Sequence, residues 1–215
     1  MNYSKDNSAK RSGHRAILFV IVTGMLFLAG CSTTPSKDSS VAAHTPAVPA
    51  QLTSKYKAAI HYMQTDNIEQ AYQGFSELTV EYPDYSGPYI NLGLIHLQRQ
   101  QLDDAEAFFK KAISVNSSSF EGHNQLAIVY RKQGNFSAAE THYLKAKSID
   151  NNSADLHKNI AILYDLYMGK LPQALAHYQQ YKQLLQEPDP ALRGWIIDIE
   201  NRIRAQNRQA SNHAG

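Results

Sequence analysis

The chain has 215 residues, 43% hydrophobic and 19% charged, a balance that excludes a wholly disordered polypeptide. Its net charge of +2 is unevenly placed: residues 1–30 hold Lys5, Lys10, Arg11 and Arg15 against Asp6 alone, so the remainder carries about −1 and offers no electrostatic footing for nucleic acid. Cys31 is the single cysteine, which excludes an internal disulfide framework.

Residues 1–15 are polar and basic, and Ala16 to Leu28 follow as an apolar run of 13 residues. As a helix that run rises about 20 Å, short of the roughly 30 Å hydrocarbon core of a bilayer. A charged start, a short apolar run and small residues before a cut site describe a secretory signal peptide over 1–30. The alternative is an uncleaved N-terminal anchor with an incidental cysteine. The stretch Leu28-Ala29-Gly30-Cys31 resembles the lipobox of bacterial lipoproteins. That resemblance implies cleavage before Cys31 and acylation of its thiol and new amino group. Two or three acyl chains on one residue hold a protein firmly to a bilayer, whereas one is marginal. Ser32, in place of an aspartate, implies the outer membrane by the sorting rule of enteric bacteria. Residues 31–51 then read as a tether: Ser, Thr, Ala and Pro dominate, with no apolar periodicity. As a flexible coil it would span about 25 Å root-mean-square.

From Leu52 to Pro188 the chain repeats with a period of 34, in units 52–85, 86–119, 120–153 and 154–188. The eighth places are Ala59, Gly93, Ala127 and Ala161; the eleventh are Tyr62, His96, Tyr130 and Tyr164. The twentieth are Ala71, Ala105 and Ala139, and the twenty-fourth Phe75, Phe109 and Tyr143. In the fourth unit these arrive one residue late, as Ala174 and Tyr178, after an extra residue between Tyr164 and Leu171. Small residues at the eighth and twentieth places let two helices approach closely, and the large ones fill the space around that contact. Asp66-Asn67, Gln100-Gln101 and Gly134-Asn135 read as turns. Asp103 with Glu106, Ser137 with Glu140, and Ser118 with Glu121 read as capping boxes.

This register resembles the tetratricopeptide repeat (TPR) family, with Lys55, Tyr89, His123 and His157 replacing the usual tryptophan of the fourth place. The resemblance implies an all-α solenoid of four helix-turn-helix units. After Pro188-Asp189-Pro190, apolar residues Leu192, Trp195, Ile196, Ile199 and Ile203 recur at helical spacing. Residues 189–205 are expected to form a capping helix, and 206–215 a frayed tail.

No Walker, Rossmann, zincin or paired-cysteine motif is present, so the sequence predicts neither an enzyme nor a cofactor. The histidines fall at repeat positions, which reads as packing rather than metal ligation. What the TPR resemblance implies instead is a groove lined by the first helices, holding a protein or peptide segment. On this reading it is formed by Tyr56, Ile60, Met63, Ile90, Asn91, Leu94, Asn124, Ile128, Arg131, Lys158 and Ile162. Its floor is aliphatic, with Asn124, Arg131 and Lys158 toward one end. The other reading of Ile60, Leu94, Ile128 and Ile162 is that they pack on adjacent hairpins. Anchor and fold together imply an outer-membrane adaptor on the periplasmic side, serving assembly of a pilus or secretion complex. The alternative is an adaptor for an envelope enzyme, such as a peptidoglycan hydrolase, or for a TonB-type complex.

Overall fold

Each predicted turn closes on one residue in the left-handed backbone region. Asp66 (φ 59°), Gln100 (φ 59°) and Gly134 (φ 82°) occupy the same place in successive units. The amide that follows each one donates back to the carbonyl of the eleventh place: Asn67 to Tyr62, Gln101 to His96, and Asn135 to Tyr130. That bond satisfies a carbonyl orphaned at a helix end and reverses the chain.

The protein, described here by a computed structural model over residues 49–213, is all-helical, and no strand occurs among those residues. Four hairpins follow in order. They are α1 (Ala50–Gln64) with α2 (Ile68–Glu81), α3 (Ser86–Gln98) with α4 (Leu102–Val115), α5 (Phe120–Lys132) with α6 (Phe136–Ile149), and α7 (Ala154–Ile162) with α8 (Leu171–Leu184). Each second helix packs on the first helix of the next hairpin, and α9 (Leu192–His213) packs on α8 in the same way.

The repeat places carry the core. Ala71, Ala105, Ala139 and Ala174 are fully buried, as are Phe75, Phe109 and Tyr143. Gly93 sits against the Phe109 ring so closely that a Cβ there would lie 2.6 Å from it. Three clusters follow along the ladder: one around Phe75 and Leu92, one around Phe109 and Leu126, and a larger one from Ala127 to Ile199.

The extra residue of the fourth unit is absorbed as a π-helical turn, Leu163–Tyr167, continuing α7. Its signature is Met168 donating to Leu163. The closing bond to the eleventh place survives, but it now comes from Lys170, after Gly169 (φ 64°).

Five boundaries differ from the sequence reading. Helix α1 starts at Ala50, inside the stretch assigned to the tether. Helix α5 is capped by Ser119, whose hydroxyl accepts from Gly122, and not by Ser118. Helix α6 is capped by Asn135, which accepts from Ala138, ahead of the expected Ser137; α4 opens after Gln101, which makes no side-chain cap. Asp103 and Asp104 instead sit in the first turn of α4, where they complement the helix dipole. Finally, α9 continues to His213, beyond the expected stop at Ala205, because no Gly or Pro interrupts residues 206–213.

Candidate functional site

The first helices place the predicted groove residues in three groups. At the N-terminal end, the Tyr56 hydroxyl accepts a 2.7 Å hydrogen bond from Asn91 Nδ2, which also donates to the Gly87 carbonyl. This joins α1 to α3 through the fifth and sixth repeat places. A Cβ on Gly87 would lie 3.2 Å from the Tyr56 ring, so the missing side chain makes room for it. Burial pushes the Tyr56 hydroxyl above the ordinary tyrosine pKa and keeps it protonated. Ile60 and Met63 are half-buried against the first core cluster.

In the middle, Ile90 and Leu94 are half-buried against the second cluster, and Ile128 against the third. Asn124, on the same helix as Ile128, is 8% exposed, and its Oδ1 finds no hydrogen-bond partner among the described residues. By repeat position Asn124 corresponds to Tyr56, whose oxygen is satisfied from the following first helix. Arg131 lies 5.8 Å from the centre of the Tyr167 ring, and its buried Nε is also without a partner. Ile162 is half-buried at the end of α7.

At the C-terminal end, Lys158 is engaged by the capping helix. Its ammonium lies 5.3 Å from the Tyr181 ring centre and 5.5 Å from that of Trp195. It also sits 3.8 Å from a carboxylate oxygen of Asp189. Asp165, in the π turn, is likewise held: Arg202 donates to Oδ1 and the Tyr178 hydroxyl to Oδ2. Of the predicted groove residues, Ile60, Leu94, Asn124, Ile128 and Ile162 lie away from these contacts with the C-terminal end.

Sequence reasoning missed two features. One is the Arg202–Asp165 bridge; its only trace is Arg202 beside Ile199 and Ile203, on the inward side of α9. The other is an apolar cavity of about 410 Å³ between α8 and α9, walled by Leu185, Leu192, Ile196 and Ile197 with Lys182 and Arg193 at its edge. Cys31 lies outside the described residues.

A ladder of close-packed hairpins with small residues at the eighth and twentieth places is a TPR solenoid, a fold suited to binding other polypeptides. The model of the family described as Tetratricopeptide repeat matches residues 84–152, the second and third hairpins. Among solved structures, the chain is similar to a thermophilic TPR protein of Thermus thermophilus. The two are 25% identical, with a TM-score of 0.59, over 70% of this chain and 82% of that one. It is also similar to pilF of Pseudomonas aeruginosa, at 17% identity and a TM-score of 0.64, over 72% of this chain and 69% of that one. YrrB, a TPR protein with an unusual peptide-binding site, matches at 19% identity and a TM-score of 0.54, over 66% of this chain and 71% of that one. The last two likenesses concern the fold alone. No curated protein matches the chain.

Proposed function

We propose that the protein is a non-enzymatic adaptor, held by an acylated Cys31 on the periplasmic side of the outer membrane. It docks a polypeptide segment against its first helices during assembly of a pilus or secretion complex. One observation carries the docking reading: a buried amide oxygen, that of Asn124, stands without a partner amid half-exposed aliphatics in one repeat register. A buried acceptor left unsatisfied costs about 1–3 kcal/mol. A peptide N–H would satisfy it, while the flanking Leu94, Ile128 and Ile162 take up apolar side chains.

The reading makes an unusual demand on one substitution. Asn124→Ala should leave the melting temperature unchanged or raise it, while weakening capture of the partner from solubilised membranes by roughly tenfold, one lost hydrogen bond to a buried group. Ile162→Asp should weaken capture further. An unchanged captured set with both variants folded, by circular dichroism, would remove the face from consideration.

The anchor rests on the leader and on the lone cysteine that ends it. Attachment at Cys31 would give the adaptor a high effective concentration near the membrane. Among the described residues no helix is long and apolar enough to cross a membrane. Cys31→Ser is therefore expected to move the protein from the membrane pellet to the soluble fraction. Firm retention in the pellet would refute lipid attachment.

A further inference from the structure

The third and fourth hairpins each contain a pair of histidines in contact through their Nδ1 atoms. His123 meets His142 at 3.0 Å, and His157 meets His177 at 2.9 Å. Both pairs join the fourth place of the first helix to the same register of the second. The proton positions follow from the outer contacts. His157 Nε2 lies 3.0 Å from the Asn151 carbonyl, and His123 Nε2 lies 3.3 Å from that of Ser117. A carbonyl only accepts, so each of these Nε2 atoms carries hydrogen. In the neutral ring, Nδ1 is then an acceptor, and the facing Nδ1–H of His177 or His142 donates to it. Ser117 and Asn151 belong to the loops that arrive from the preceding hairpin. Each pair therefore forms a relay from loop to first helix to second helix.

The relay has room for few protons. One extra proton can sit on the outer Nε2 of the donor ring. A second one, on the acceptor Nδ1, would set two N–H groups head to head across about 3 Å and break the contact. Both pairs are enclosed. His157 is 1% exposed, His123 6% and His177 9%. The charged groups bearing on the first pair are Lys145 of α6 and Lys110 of α4, with the Tyr130 ring of α5 beside His142. On the second pair they are Lys147 of α6, with the Tyr164 ring of the π turn against His177; Tyr164 in turn faces Glu140 of α6. The same lysines disfavour a bound cation, and among the described residues no group of three potential metal ligands occurs.

We infer that these two imidazole relays make the C-terminal half of the ladder acid-releasable: as pH falls, hairpins three and four loosen while hairpins one and two keep their packing. The sign follows from proton linkage. Burial, and next the partner imidazole, hold His177 down at about 4 from an ordinary 6.5, and burial also lowers His123 and His142. The unfolded segment thus binds protons that the folded one excludes. Its stability is full above about pH 6.5 and declines as pH falls toward 4. Glu140 in the same half, paired with Lys170, is held below the usual carboxylate range, so it loses charge only at the acid end of that window or beyond it.

The second hairpin supplies the control. Tyr89 and Phe108 stand at the two places that histidines occupy later, and the Tyr89 hydroxyl still reaches back to the preceding hairpin at the Thr79 carbonyl. The test is amide hydrogen exchange on the intact chain at pH 7 and pH 5, corrected for intrinsic rates. It compares wild type with a variant carrying His123→Tyr, His142→Phe, His157→Tyr and His177→Phe. In wild type, protection over residues 120–184 is expected to fall by on the order of tenfold or more at pH 5 while residues 50–115 hold. The variant should show no such divergence. Parallel loss in both halves, or the same divergence in the variant, would overturn the inference. Should the variant fail to fold, an NMR titration of wild type decides instead: His177 must protonate near 4, and an ordinary titration near 6.5 is equally fatal.

Discussion

Gly93→Val is expected to melt at a markedly lower temperature than wild type, with a loss of about 3 kcal/mol. A Cβ built on Gly93 lies 2.6, 2.8 and 2.8 Å from three carbons of the Phe109 ring. Real Cβ atoms do not approach this closely, so the ring or the helix must move. Phe109 is fully buried among Ala105, Leu126 and Val129, which leaves it nowhere to go. Overpacking of this kind costs about 1–3 kcal/mol for added methylenes, and the two branches of valine take the larger figure. Helix propensity works the other way by less than about 1 kcal/mol, so the clash wins. Two companions sharpen the result. Combined with Phe109→Ala, the total loss should fall short of the sum of the two single losses, because the two side chains compete for one space. Gly194→Ala, with nothing within 4 Å of its new Cβ, should instead stabilise the protein by about 0.5–1 kcal/mol. Equal melting temperatures for Gly93→Val and wild type would mean that the second hairpin closes through some other contact.

Arg202→Ala is expected to loosen α9 selectively. The Asp165 side chain is 9% exposed and depends on Arg202, with the longer Tyr178 hydrogen bond (3.4 Å) as its second contact. Removing the guanidinium leaves a nearly buried carboxylate with one weak partner. Breaking a fully buried pair costs about 3–5 kcal/mol. Arg202 is itself 41% exposed, so solvent already screens the attraction, and about 2 kcal/mol is the better figure. Since α9 packs chiefly on α8, the loss should appear as faster amide exchange over residues 192–213, with α1 to α4 unaffected. Pairing Arg202→Ala with Asp165→Asn should restore much of the protection, because the stranded charge is gone. If α9 exchanges at its wild-type rate in the single variant, the bridge contributes nothing and Trp195 with Leu192 holds the helix alone.

The ladder was legible because its determinants are local and repeated. Ala71, Ala105 and Ala139 recur at one spacing, and their burial follows from that spacing. Asp66, Gln100 and Gly134 likewise stand at one place and share one backbone conformation. The one-residue delay at Ala174 and Tyr178 was visible, but the π turn that absorbs it was not, since a letter count does not say where a helix widens. Cap positions slipped by one or two residues because Ser118, Ser119 and Asn135 are all competent caps, and backbone geometry alone chooses among them. The site was less legible. Lys158 reads as a groove residue by position, yet Trp195 of α9 reaches it, and no periodicity reveals which charge a following helix will cover. The histidines were placed correctly in the packing register, but the pairing of His157 with His177 depends on two rings meeting across a hairpin. Asn124 looked like its neighbours; its unsatisfied oxygen is a property of what surrounds it.

The ordering of contacts along the ladder has a kinetic side. Its main contacts join elements that are neighbours in the chain or one helix beyond. Such a topology has low contact order, and the entropy of closing each loop stays small. The first hairpin can condense while later segments are still being synthesised, and each newcomer finds a finished surface waiting. A polypeptide assembled this way never has to hold its far end unfolded while searching for its beginning.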